Sequence, residues 1–210
     1  MSPEVLELPR VEWRRAAEVE GQVYRESPMF RAAFPDEHAR EVFSRYGVEC
    51  AIRTALLGGK TVDTTGSRAA FMVWSPPGYR EPPGLVLRVP GSLFPLLRGV
   101  PLAQLRRFLA YEASLAARRH ELMPEPHWYA EMLVVEPSRQ RSGLGALLTR
   151  HGVARADASG DPVFLETAYG QSNVALYQKL GFELIEHDRD NPLDIPIWRM
   201  VHRPDPSASS

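Results

Sequence analysis

Between Met132 and Leu148 an apolar stretch, Met132-Leu133-Val134-Val135, passes through a basic loop, Glu136-Pro137-Ser138-Arg139-Gln140-Arg141-Ser142, into a helix-like segment opening on Gly143-Leu144-Gly145-Ala146. A strand that ends in a short loop and restarts as a helix among small residues is a unit of α/β architecture. It is also an anion site. The first amides of a helix have no partner within it, the helix dipole adds positive potential, and glycines let a bulky group approach the main chain. Pyrophosphate suits such a cradle, and Arg139 and Arg141 add charge for further phosphates.

Two other phosphate patterns fail on local grounds. A dinucleotide fingerprint needs a third glycine where Leu148 stands. Gly59-Lys60-Thr61 mimics the end of a Walker A loop, but Thr54 occupies its first glycine position and a helix precedes it where a strand should.

The remaining chain alternates between the two periodicities. A short strand around Val5 and Leu6 within Pro3 to Arg10 leads into a helix from Val11 to Tyr24. Pro35-Asp36-Glu37 opens a second helix that breaks near Gly47 and closes at Gly58-Gly59. Lys60 to Thr65 and Ser67 to Ser75 read as paired strands, and the nearly continuous apolar run Ala69 to Trp74 belongs inside a sheet. Two Pro-Pro-Gly breaks follow, at Pro76 and Pro82. The segment Ser92 to Glu121 is then helical, with Leu102, Leu105, Phe108, Leu109 and Leu115 on one side. Strands at Trp128 to Val135, Pro162 to Thr167, Phe182 to His187 and Ile197 to His202 alternate with helices at Gly143 to Ala158 and Ser172 to Leu180. Such strand-loop-helix units favour parallel pairing. One domain spanning residues 1–203 accounts for the chain, and the tail 204–210, rich in Pro and Ser, is expected to be disordered.

Charge narrows the partners. With 25 Lys plus Arg against 26 Asp plus Glu, the overall field offers nothing to nucleic acid or to an anionic membrane, so an anionic ligand must be held by local geometry. Cys50 is the only cysteine. That rules out an internal disulfide or thiolate cluster, and its apolar neighbours place it in the core. The histidines lack ligand spacing, so no metal is expected, and His127 reads as a structural cap before a buried strand. The N-terminus resembles no targeting signal and no run is long enough to span a bilayer, so a cytoplasmic protein is expected.

The segment Gln140-Arg141-Ser142-Gly143-Leu144-Gly145 resembles motif A of the GNAT acetyltransferases, [QR]-x-x-G-x-[GA], behind an apolar strand. Leu176-Tyr177-Gln178-Lys179-Leu180-Gly181-Phe182 resembles the same superfamily's L-Y-x-k-x-G-F ending, and the resemblance extends from Trp128 to about Val201. Asn173 stands four residues before Tyr177, where many members place an asparagine seven before; this spacing, with Phe164-Leu165-Glu166-Thr167, is similar to that of the puromycin N-acetyltransferase group.

The resemblance implies an α/β fold with a single mixed, mostly antiparallel twisted sheet. A central parallel pair, helices on both faces, and a helical insertion before the cofactor-binding strand complete it. It implies acetyl-CoA as cofactor, held by Leu133, Val134 and Val135 along the pantetheine and by Gln140, Arg141, Ser142, Gly143, Leu144, Gly145 and Ala146 at the pyrophosphate, with Asn173 and Tyr177 nearby. Direct attack of a small molecule's primary amine would pass through a tetrahedral intermediate, its oxyanion near the Val134 N–H.

A tyrosine at position 177 commonly gives its proton to the departing sulfur in that superfamily, and a phenol with a pKa near ~10 holds a proton to give. Glu131 and Glu166, carboxylates inside apolar strands, are the candidate bases; Glu131 is expected on the face of Leu133 and Val135. Protein N-terminal or lysine acetylation and a non-catalytic acyl-CoA sensor are the alternatives, and a homodimer is left open.

Overall fold

The computed structural model describes residues 4–204. The first three residues of the expected opening region, and residues 205–210 of the expected tail, lie outside them. All seven strands join one sheet: β1 (Val5–Glu7), β2 (Thr61–Thr65), β3 (Ala70–Ser75), β4 (Trp128–Val135), β5 (Val163–Thr167), β6 (Glu183–Asp188) and β7 (Ile197–His202), in the order β1-β2-β3-β4-β5-β7-β6. Among the described residues only β4 and β5 run parallel, and every other pair is antiparallel. The mixed sheet with one central parallel pair is therefore present.

Every residue of β3 is buried, as a strand covered on both faces must be. Phe71 and Val73 join the core beneath α1 (Trp13–Tyr24) and α4 (Val48–Gly58). Met72 and Trp74 face the other way, onto α7 (Leu144–Ser159) and α8 (Gln171–Gln178). Alternation along the strand thus separates two cores. Trp74 sits so close to α7 that a Cβ at Gly152 would fall 2.0 Å from its ring.

The helical segments differ in detail from the expectation. A 3₁₀ turn at Arg10–Glu12 precedes α1. α2 (Pro28–Ala33) falls outside the expected helices, though its signal is present: Ser27 accepts a hydrogen bond from the Phe30 N–H at 3.1 Å, with Pro28 at the first helical position. The expected break near Gly47 is a π-helical turn, Phe43–Gly47, joining α3 (Glu37–Val42) to α4. The insertion between β3 and β4 holds two helices, α5 (Pro90–Gly99) and α6 (Leu102–Leu122), separated at Val100-Pro101. Its expected apolar side needs correction. Leu102 and Leu109 are exposed, whereas Tyr111 and Leu115 are buried, so the inward stripe of α6 is rotated from the one the leucines suggest.

Candidate functional site

The loop after β4 is shaped for a guest. A 3₁₀ turn, Pro137–Arg139, is followed by Arg141 at φ 62° and Gly143 at φ 85°, two left-handed residues that swing the chain into α7. The Ser142 hydroxyl donates to the Arg139 carbonyl and steadies the turn. The first bond of α7 runs from the Leu147 N–H to the Gly143 carbonyl at 3.0 Å, so the amides before it are not used within the helix. A Cβ at Gly143 would meet nothing within 4 Å. Its role is backbone shape and open space, not close packing. At Gly145 a Cβ would find only ordinary contact with Leu133 and Val135, at 3.5 and 3.6 Å.

Beside this cradle the parallel pair parts. β4 and β5 are matched only at Trp128–Val163, Tyr129–Phe164 and Ala130–Leu165. Beyond them the edge of β4 facing β5 has no strand partner, although β3 accompanies β4 along its other edge to Val135. Where the strands separate, a cavity of about 1000 Å³ opens and reaches from Gln140, Arg141, Gly143, Gly145 and Ala146 to the far wall formed by α6. An unpaired strand edge beside free helix amides fits a long, amide-bearing, diphosphate-containing molecule.

Tyr177 and Asn173, on α8, line the same cavity, as do Leu133, Val135, Glu131 and Glu166. Tyr177 is buried, and burial alone pushes its hydroxyl up to about 12. It packs edge-on against Phe182, with centroids 5.8 Å apart, and the Phe182 N–H returns to its carbonyl. Asn173 lies in the first turn of α8 and its Nδ2 donates to Thr167 Oγ1 at 3.2 Å. The side chains of Val134, Ser142 and Leu144 do not line the cavity: Val134 and Leu144 are buried in the two cores. Val134 and Leu144 can serve a ligand only through their main chain, and the Ser142 hydroxyl is engaged by the Arg139 carbonyl.

The two candidate bases have different surroundings. Opposite β3, Val73 pairs with Met132 but Trp74 pairs with Ala130, which makes Glu131 the extra residue of a β-bulge. Ala130, Leu133 and Val135 consequently pack on the α7 side, and Glu131 leaves their row, contrary to the alternation expected from sequence. Its carboxylate meets Lys60 Nζ at 2.8 Å and the Ser75 hydroxyl. Glu166 is nearly enclosed. It accepts from Arg199 Nε at 2.8 Å and from the Tyr129 hydroxyl at 3.2 Å, and Arg119 stands 3.7 Å away. Burial outweighs these partners and raises its proton affinity.

Two ionisable groups that line the cavity, Lys60 and Glu112, and one fully buried on α1, Glu20, carry no signal in the sequence. Lys60 reads in the sequence as the start of a strand and as part of a failed phosphate loop, not as a partner for Glu131. Glu112, on α6, lines the cavity, and burial together with the charges of Glu166 and Glu131 pushes it up to about 7. Glu20, on α1, is fully buried with neither carboxylate oxygen partnered, and burial and Glu131 push it far above the usual carboxylate range. No local pattern marks any of them, because each owes its setting to elements distant in sequence. His127 is the cap expected: its Nδ1 is 2.7 Å from the Glu125 carbonyl oxygen, and burial lowers its pKa.

Residues 104–182 match the family model described as the Acetyltransferase (GNAT) family. Among solved structures, the chain is similar to a protein described as histone acetyltransferase HPA2 and related acetyltransferase from Corynebacterium glutamicum, with 21% identity, 98% of both chains covered and a TM-score of 0.70. It is similar also to a Drosophila melanogaster polyamine N-acetyltransferase, with 16% identity, 96% of this chain and 100% of that one covered, and a TM-score of 0.64. A Thermoplasma acidophilum PaiA N-acetyltransferase, solved in complex with coenzyme A, shares 11% identity, covers 97% of this chain and 99% of its own, and has a TM-score of 0.57. The family model is thus matched across α6, β4, α7, β5 and α8, and these solved structures share the fold of the chain over nearly its whole length.

Proposed function

We propose that this protein is an acetyl-CoA-dependent N-acetyltransferase acting on the primary amine of a small molecule. The observation that carries this is the continuous cavity running from the α7 amides that bond nothing within the helix, past the unpaired edge of β4, to Tyr177 and the carboxylates beyond. The residues fit the cofactor. Gly143 to Ala146 offer main-chain donors to a pyrophosphate, Arg141 adds charge, and the β4 edge at Leu133 to Val135 offers main-chain partners to pantetheine. When bound, acetyl-CoA supplies the thioester whose acyl group passes to the amine.

The chain's own residues then manage protons and charge. Tyr177, held protonated by its burial, is the acid for the departing sulfur. Between the two candidate bases, Glu166 is favoured: burial raises its proton affinity, while the Glu131 carboxylate is taken up by contacts with Lys60 and Ser75. Glu166 takes the amine's proton through water or the Tyr129 hydroxyl, which already touches it. The developing oxyanion is assigned to a β4 main-chain N–H near Val134. Asn173, tied to Thr167, positions the start of α8 instead of carrying charge.

Thiol release from acetyl-CoA, with and without pooled amines, tests this directly. Wild type should turn over only with amine present. Tyr177→Phe should lose about 10²-fold in kcat with CoA affinity unchanged, and Glu166→Gln should lose about as much, more at low pH than at high. Tight CoA binding without turnover on any amine would reveal a sensor, and turnover on peptides alone a protein acetyltransferase; either result overturns the proposal.

A further inference from the structure

The wall of the cavity opposite the cofactor cradle is the inward stripe of α6. Phe108, Glu112, Leu115, Ala116 and Arg119 line it, at the three- and four-residue steps that put side chains on one helical face. Arg119 is committed, because its guanidinium lies 3.8 Å from the centroid of the Tyr129 ring and close to Glu166. Phe108 is also committed, packed against Phe43 at 4.7 Å and Phe30 at 6.2 Å between centroids. Both of those rings, and Tyr24 stacked on Phe30, line the cavity too.

Glu112 differs from the other carboxylates of this cavity. Lys60 neutralises Glu131, and Arg199 with Arg119 neutralises Glu166. Among the described residues Glu112 has neither an ion pair nor a side-chain hydrogen bond; only longer-range charges act on it. The residue is exposed and lines the cavity. A carboxylate without a counter-ion, set beside aromatic faces in a large cavity, is the chemistry that recognises an organic cation. The reacting nitrogen cannot be that cation throughout the reaction, since it must become neutral to attack and leaves as an amide.

We propose that the acceptor is an amine carrying a second positively charged nitrogen, and that Glu112 binds this second nitrogen while the first is acetylated. The inference rests on the proposed acetyl transfer and names its substrate class: flexible diamines or amino-guanidines whose alkyl spacer lies along Phe108, Phe30 and Tyr24. Glu112 selects the substrate, and Glu166 and Tyr177 serve the reacting end.

The test compares 1,5-diaminopentane with n-pentylamine, on the protein saturated with CoA for binding and with acetyl-CoA for turnover. Calorimetry on wild type should show the diamine bound about 10- to 100-fold more tightly than the monoamine, the range of one charge-assisted contact. Glu112→Gln should erase that difference and raise KM for the diamine by a similar factor while leaving kcat within about twofold. Glu112→Asp, which keeps the charge, should restore part of the preference. Equal binding of the two amines by wild type, or an unchanged preference in Glu112→Gln, overturns the inference. A kcat loss in Glu112→Gln that is equal for both amines also overturns it, since Glu112 would then act on the reacting nitrogen. Because the binding arm needs no turnover, failure of acetyl transfer itself appears separately, as selective diamine binding without thiol release.

Discussion

At the α7 end of the cavity the groups offered to a ligand are main-chain amides and a bare strand edge, all within Met132 to Ala146. At the α6 end they are side chains brought from α1, α2, α4, α6, β4 and β5, across more than a hundred residues of sequence. A backbone site is written in a short local code of glycines, a turn and a helix start. A side-chain site is assembled by packing, so its members carry no common spacing. The first end can be held constant while the second changes, which is what a fold that serves many acceptors requires.

The sharpest way to break this division is to fill the α7 end without touching the other. Gly145→Val adds bulk at a residue that lines the cavity, and the Cβ itself would meet Leu133 and Val135 only at the ordinary contact distances of 3.5 and 3.6 Å. CoA affinity measured by calorimetry should fall about 100-fold, with thermal stability changed by only a few degrees. A comparable loss of stability would mean that the glycine serves packing.

The converse substitution acts at the α6 end. Glu131→Gln removes the nearer carboxylate partner of Lys60, whose side chain is 13% exposed; Glu81, at 4.0 Å, remains. Denaturant unfolding should register a loss of about 1–3 kcal/mol, while CoA affinity stays unchanged. A change in CoA affinity instead would show that the two ends are energetically joined.

A smaller effect of opposite sign is expected at Glu20, which has no partner for either oxygen. Glu20→Met replaces an unsatisfied buried carboxyl by an apolar side chain of similar length and should stabilise the fold by about 1–2 kcal/mol at pH 7.

The smallest effect is a pH signature of the α6 end. Folding raises the pKa of both Glu20 and Glu112, the latter from 4.5 to about 7. A raised folded pKa contributes stability that is fully present below the unfolded value and is lost as pH climbs through the folded one. The difference in Tm between Glu112→Gln and wild type should therefore grow in the variant's favour from pH 4.5 to 7 and level off above it. A flat difference would contradict the shift.

Much of the fold was legible in the sequence because its periodicities are strong. The all-apolar β3, the glycine-opened α7 and the strands that alternate with helices all form close to where the residues predict them. What stayed hidden was non-local. The stripe of α6 that points inward was misjudged because Leu102 and Leu109 look like core residues, yet the helix docks through Phe108, Tyr111 and Leu115. The bulge at Glu131 could not be read either, since it exists only as a mismatch against β3. Glu112 escaped notice because a lone glutamate on a helix rich in charges is ordinary until the surrounding aromatic residues and carboxylates are in place.

The central claim, that main-chain amides at the start of α7 and along the β4 edge receive the cofactor, is most directly tested by titrating CoA into isotope-labelled protein and following backbone amide resonances. The largest shifts should fall on Gly143, Leu144, Gly145 and Ala146 and on the strand from Met132 to Val135, with those of α6 much smaller. Shifts centred on α6, or none at saturating CoA, would contradict it.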